Sequence, residues 1–222
     1  MIKLLKALGV SIVIASIFGA IYFVSKDGTY AVLEPAGTIA SQQKDLLIFT
    51  VVLSMVIIIP VFGLLTFILL KYGESNKKSV YRPDWESNKY LEFTWWAFPI
   101  AIILILAVVT WNTSHSLDPF KPIDTPRKPV TVEVIALEWK WLFIYPEYNI
   151  ASVNYLNIPV STPINFKISA DAPMNSFWIP ELGGQIYAMA GMQTKLHLLA
   201  NEVGTFTGKS ANIGGEGFSG MV

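Results

Sequence analysis

Two long uncharged apolar runs, followed by a stretch of short alternating segments, predict a membrane-anchored α plus all-β protein. A transmembrane helical hairpin, with a signal or anchor helix before it, leads into a β-sandwich or barrel. Composition agrees: 53% of the 222 residues are hydrophobic and 14% charged, too apolar for a soluble globular domain. The formal net charge is zero, which gives no electrostatic footprint for nucleic acid. The absence of Cys excludes disulfides, zinc knuckles, thioether-attached haem and a Cys nucleophile. Two His are too few for most first-row metal sites.

The hairpin is read from residues 46–70 and 93–111. Leu46 to Leu70 is 25 residues without a charge, more than the ~20 needed to cross a bilayer core. Phe93 to Trp111 is 19 uncharged residues, with Trp95 and Trp96 near one end and Trp111 at the other, as in an aromatic belt. Pro60 and Pro99 lie inside these runs and each removes a backbone donor, so a kink is expected at both. The loop 71–92 carries Lys71, Lys77, Lys78, Arg82 and Lys89, against only Lys26 and Lys44 in 25–45. Positive charge stays inside, so this loop is expected in the cytoplasm and everything after Trp111 on the outer face.

Residues 1–25 hold an apolar run, Ala7 to Val24, behind Lys3 and Lys6. A basic head and an N-terminal position fit a signal sequence. A run of 18 residues is also just long enough to span, which favours an uncleaved anchor. Residues 115–128 form a linker with Pro119, Pro122 and Pro126, expected to act as a stiff stalk.

From Pro129 to Val222 the pattern changes. Val130 to Ile135 alternates with period two, as a strand with one buried face should. Further strands are expected at 141–145, 153–158, 164–169, 176–179 and 195–200, with a weaker one at 205–208. Pro and Gly separate them, and Gly183-Gly184 and Gly214-Gly215 read as turns. Short strands at this spacing argue a sandwich or barrel.

Local motifs then point to a family. Leu91-Glu92-x-x-Trp95-x-x-x-Pro99, the aromatic run Glu138 to Pro146, and Asn175 to Pro180 followed by Gln185 to Met192 resemble subunit II of the haem-copper oxidases. The resemblance covers about 33–221 and is strongest to the cytochrome bo-type ubiquinol oxidase branch. It implies a cupredoxin-like Greek-key sandwich. Ser210 to Met221 has the frame of that family's Cu-A loop, Cys-x-Glu-x-Cys-Gly-x-x-His-x-x-Met, with the ligands replaced. Ser210 and Gly214 stand at the thiolate positions, Asn212 at the Glu and Phe218 at the His. Met221 is kept, and the remaining His position holds Asn175. A dinuclear copper centre needs bridging thiolates and imidazoles, so no metal is expected in this chain.

The resemblance therefore implies the non-redox second subunit of a proton-pumping quinol oxidase in a bacterial inner membrane. Haems and copper would reside in subunit I, which would also receive the quinol; subunits III and IV would complete the complex. The family continues beyond the copper loop with a further strand and a helix, so the sequence is expected to be a fragment. The resemblance also places Glu92 at the entrance of a proton path into subunit I; an ionisable group at the end of a membrane helix is otherwise a solvated interfacial carboxylate. Trp139 and Trp141 are expected as a packed aromatic strand. Phe218 is expected to plug the core where copper would sit. His115 and His197 read as separate surface or interface groups, and Met189, Met192 and Met221 as apolar filler. No nucleotide loop, hydrolase elbow or zinc-protease motif is present. Two other function classes stay open: a copper-bearing electron-transfer subunit, which the missing thiolates disfavour, and an orphan membrane-anchored cupredoxin-like binding module.

Overall fold

The computed structural model describes residues 30–73, 84–213 and 215–222, together with Gly19, Asn76 and Val80. Apart from Gly19, the expected signal or anchor helix at 1–25 lies outside the described residues, as do the loop cations Lys77, Lys78 and Arg82, and Gly214.

Two helices form the hairpin: α1, Thr38–Lys71, and α2, Lys89–Ser116. Both exceed their apolar cores at 46–70 and 93–111, because polar residues prolong a helix beyond the hydrocarbon. At ~1.5 Å per residue, the 34 residues of α1 run for about 50 Å. Nearly every side chain along both helices is exposed, as expected of surfaces meant for lipid or for another subunit. Hydroxyls on such apolar helices need internal acceptors. Thr50 donates to the Leu46 carbonyl, Ser54 to Thr50 and Thr113 to Val109, each at 2.8 Å. Both helices continue through Pro60 and Pro99. Asn88 caps α2, its side chain accepting from the amides of Tyr90 and Leu91. At the end of α1, the Lys71 ammonium lies 5.0 Å from the Phe67 ring centroid, a basic group at the negative end of the helix dipole.

Eight strands build the sandwich: β1 Val130–Leu137, β2 Lys140–Tyr145, β3 Ile150–Val153, β4 Ile164–Ala170, β5 Asn175–Trp178, β6 Ile186–Ala188, β7 Thr194–Leu198 and β8 Lys209–Ser210. One sheet has the order β3-β2-β1-β4-β7 and the other β6-β5-β8. β1 and β4 run parallel while every other pair is antiparallel. Alternation sets the buried face: Val132, Val134 and Ala136 of β1 pair with Phe166, Ile168 and Ala170 of β4, all buried. Phe177 of the small sheet is the hub, with Trp141 and Phe166 both 5.4 Å away and Phe143 at 6.1 Å, all in tilted or edge-on geometry.

Several expectations are corrected. The strand expected at 153–158 is β3, which ends at Val153. There Asn154 turns to a left-handed φ of 55° and its side chain accepts from the Trp141 amide at 2.8 Å. Residues 205–208 are loop, and the strand is the two-residue β8 beyond them. β6 was not anticipated, because three residues are too few to show a period. Gly183 closes the expected turn, donating its amide to the Ile179 carbonyl at 3.0 Å, and the glycine pair also permits close approach. A Cβ at Gly183 would meet Leu198 Cδ2 at 2.5 Å, and one at Gly184 would meet the Gln43 amide at 2.9 Å.

The proline-rich linker is not the only joint between hairpin and sandwich. The amides of Ala36 and Gly37 donate to the Glu181 carbonyl, Thr38 to Leu199 and Ala40 to Leu182, at 2.8 to 3.3 Å. The Asn201 amide returns to the Ala36 carbonyl at 2.8 Å, so the first turn of α1 is seamed to the sandwich. The linker is itself fastened, with Arg127 donating to the Val160 carbonyl at 3.1 Å.

Candidate functional site

Of the positions named from the copper-loop frame, Asn175, Ser210, Asn212, Phe218 and Met221 converge at one edge of the small sheet. β5 carries Asn175, and β8 delivers Ser210 beside it through the Phe177–Ser210 register. Further along, a 3-10 turn, Phe218–Gly220, returns Met221 underneath. Two backbone bonds fix the loop: Ala211 donates to the Ser176 carbonyl at 3.0 Å and Ser210 to the Met221 carbonyl at 3.2 Å.

A polar mesh occupies the inner part of the site. The Ser210 hydroxyl lies 3.0 Å from Asn175 Oδ1 and 3.2 Å from the Asn212 carbonyl. Asn175 Nδ2 donates to the Pro173 carbonyl at 3.0 Å, and Asn212 Nδ2 to that of Met174 at 2.7 Å. Asn175 is buried and Met221 is 1% exposed, inside the main core. Every side chain here is neutral and already engaged with protein atoms, or is a thioether packed in hydrocarbon. This donor set does not fit a copper pair, which asks for thiolates and imidazoles free to bind. Among the described residues there is no cluster of three or more His, Cys, Asp or Glu able to hold a metal ion.

Phe218 corrects the expected plug. It is only half-buried and stands outside the core cluster; the buried filler is Met221. The outer side of the loop is closed instead by Trp139. That residue is not in a strand: it occupies the turn between β1 and β2 with φ 60°, a costly conformation for a bulky side chain. Its indole lies on the backbone of Gly215 and Gly217, where any Cβ would collide with the ring; Gly215 also has φ 125°. Trp141, in β2, is 3% exposed and belongs to the core as expected. The Trp139–Gly217 contact was missed in the sequence, where the only signal was a run of glycines in a loop with no phosphate role.

The histidines stay apart. His115 Nδ1 is 2.7 Å from the Trp111 carbonyl at the end of α2. His197 is buried in β7, with Nδ1 2.7 Å from Asn165 Oδ1. Burial foremost, and then the charge of Lys195, hold its pKa below the usual 6.5, partly opposed by the Phe120 carbonyl. Glu92 sits, half-buried, in the first turn of α2, where a carboxylate suits the helix dipole. The ion pairs among the described residues are Lys128–Glu147 and Lys167–Glu133, so Lys89 does not hold it.

Residues 147–222 match the family model "Cytochrome C oxidase subunit II, periplasmic domain". A cytochrome bo(3) ubiquinol oxidase subunit 2 from Pseudomonas putida is 50% identical over 86% of this chain and 61% of its own length. A quinol oxidase subunit 2 from Bacillus spizizenii is 42% identical over 99% of this chain and 68% of its own. The chain thus spans about three fifths to two thirds of these relatives. The periplasmic domain of cytochrome oxidase subunit II from Bradyrhizobium japonicum is similar at 19% identity and a TM-score of 0.41, over 44% of this chain and 83% of that one.

Proposed function

Because the chain belongs to the quinol oxidase subunit 2 family, we propose that it serves as the non-redox second subunit of a proton-pumping quinol oxidase. The complex oxidises a membrane quinol and reduces dioxygen to water. The observation that carries this reading is the polar mesh in which Asn175, Ser210 and Asn212 bond to one another and to the backbone, with no side chain left to bind copper. A donor that arrives dissolved in the bilayer needs no relay on the water side, so the sandwich keeps its fold without its metal.

On this reading the exposed faces of α1 and α2 pack against subunit I, the neighbour that holds the haems and copper and receives the quinol. Subunits III and IV complete the assembly in the bacterial inner membrane. The sandwich stands on the outer face, and its seam to α1 makes hairpin and cap one brace. The Cu-A positions contribute no electron step. Glu92, at the inner end of α2, is assigned to proton entry, and its half-burial, with no ion-pair partner among the described residues, supports that role. Glu92→Gln then slows quinol-driven turnover while the complex still assembles; turnover unchanged at every pH would remove the assignment.

The subunit reading is tested by purifying the protein from membranes through a tag on this chain and recording a reduced-minus-oxidised spectrum. Haem bands from a co-purifying large subunit are expected. A colourless protein without such a partner would instead favour a free-standing binding module.

A further inference from the structure

Where the outer ends of α1 and α2 meet the linker and the sandwich, the structure encloses a cleft of about 350 Å³. Its walls include Gln42 of α1, Asp118, Lys121 and Asp124 of the linker, Gln185, and His197 of β7. We propose that this cleft binds the headgroup of an aminophospholipid, of the phosphatidylethanolamine type, from the outer leaflet. The proposal rests on the membrane reading of the hairpin.

Depth is the first argument. The uncharged run of α1 begins at Leu46 and that of α2 ends at Trp111. At ~1.5 Å per residue, Gln42 and Ser116 stand about 6 to 8 Å beyond the hydrocarbon edge. A bilayer adds a headgroup layer of roughly 5 to 8 Å on each side of its ~30 Å core. The cleft therefore opens at headgroup level, and its volume is within the range of small-ligand pockets, about 300 to 1,000 Å³.

Chemistry is the second. Among the described residues, nothing bonds to the Asp124 carboxylate, the Lys121 ammonium or the amides of Gln42 and Gln185. Asp118 uses one oxygen, which accepts from the Phe120 amide at 2.9 Å. His197 is held uncharged near neutral pH by its burial. Two carboxylates therefore face one ammonium, an excess of negative charge that disfavours an anionic lipid. A primary ammonium offers N–H donors to Asp124 and Asp118, while Lys121 and the amides can take the phosphate. A choline headgroup has no N–H to give, so the lining distinguishes all three.

The test uses the full chain, with any subunits that co-purify, in vesicles containing a phosphatidylethanolamine probe with a photoactivatable diazirine near its glycerol. Matched phosphatidylglycerol and phosphatidylcholine probes are run alongside. Expected is labelling of peptides from 38–43 and 116–124 by the ethanolamine probe, several-fold above the other two. It should fall several-fold in Asp124→Asn and Lys121→Gln, both exposed positions whose change leaves the core intact. Equal labelling by all three probes, or labelling indifferent to both substitutions, would overturn the site. So would unlabelled cleft peptides beside labelled helices, the pattern expected if a neighbouring subunit's loop fills the cleft. Absence of label anywhere on α1 and α2 would instead overturn the membrane reading, and the site with it.

Discussion

The inner and outer halves of the loop that matches the copper-loop frame are closed by different means. The inner half, Asn175, Ser210 and Met221, is buried and held by side-chain hydrogen bonds and core packing. The outer half, Phe218 with Gly215 and Gly217, is more open and closed by one indole lying on bare backbone. Removing ligands from a metal site leaves polar backbone and empty volume, and both must be satisfied. Here the polar groups are met by amides and a hydroxyl, while Met221, the position kept from the frame, packs in the core. The outer loop needs only to be covered, so its side chains are the more dispensable.

Substitutions sharpen that contrast. Met221→Ala should have the largest effect, costing about 2–5 kcal/mol through the cavity it leaves, measured by denaturant unfolding followed through tryptophan emission. Asn175→Ala should come next, at about 1–3 kcal/mol, since it strips the Ser210 hydroxyl of one acceptor and leaves the Pro173 carbonyl unmet. Phe218→Ala should cost only about 1 kcal/mol, because full burial of a Phe contributes ~1.5–3 kcal/mol and this ring is half-covered. A larger loss for Phe218 than for Met221 would reverse the assignment of inner and outer halves.

A smaller effect belongs to pH. The folded pKa of His197 lies below its unfolded value, so the unfolded chain takes up the proton first. The stability linked to neutral His197 is complete above about pH 6.5 and declines as pH falls from there towards the lowered folded value. His197→Gln should flatten that part of the stability–pH curve, while His115→Gln, at the end of α2, should leave it unchanged.

Most of the architecture was legible because it rests on patterns longer than a few residues. The two spans follow from 25- and 19-residue uncharged runs, and β1 from its period of two. Boundaries were less legible. The first turns of α1 are polar, and what holds them is the backbone seam to Glu181, Leu182 and Leu199, which no local pattern encodes. β3 stops where one asparagine adopts a positive φ, and β6 and β8 are too short to carry a period. The altered copper positions could be named from their spacing alone. Which of them is buried could not, since Met221 and Phe218 are equally apolar and only the 3-10 turn decides which one faces the core.

The central claim is that this subunit passes no electrons. It is tested most directly by oxygen uptake of the purified complex, driven in turn by a short-chain quinol and by reduced cytochrome c. The account predicts brisk uptake with the quinol and none above background with cytochrome c. Uptake sustained by cytochrome c, together with near-infrared absorption of the Cu-A type, would contradict it.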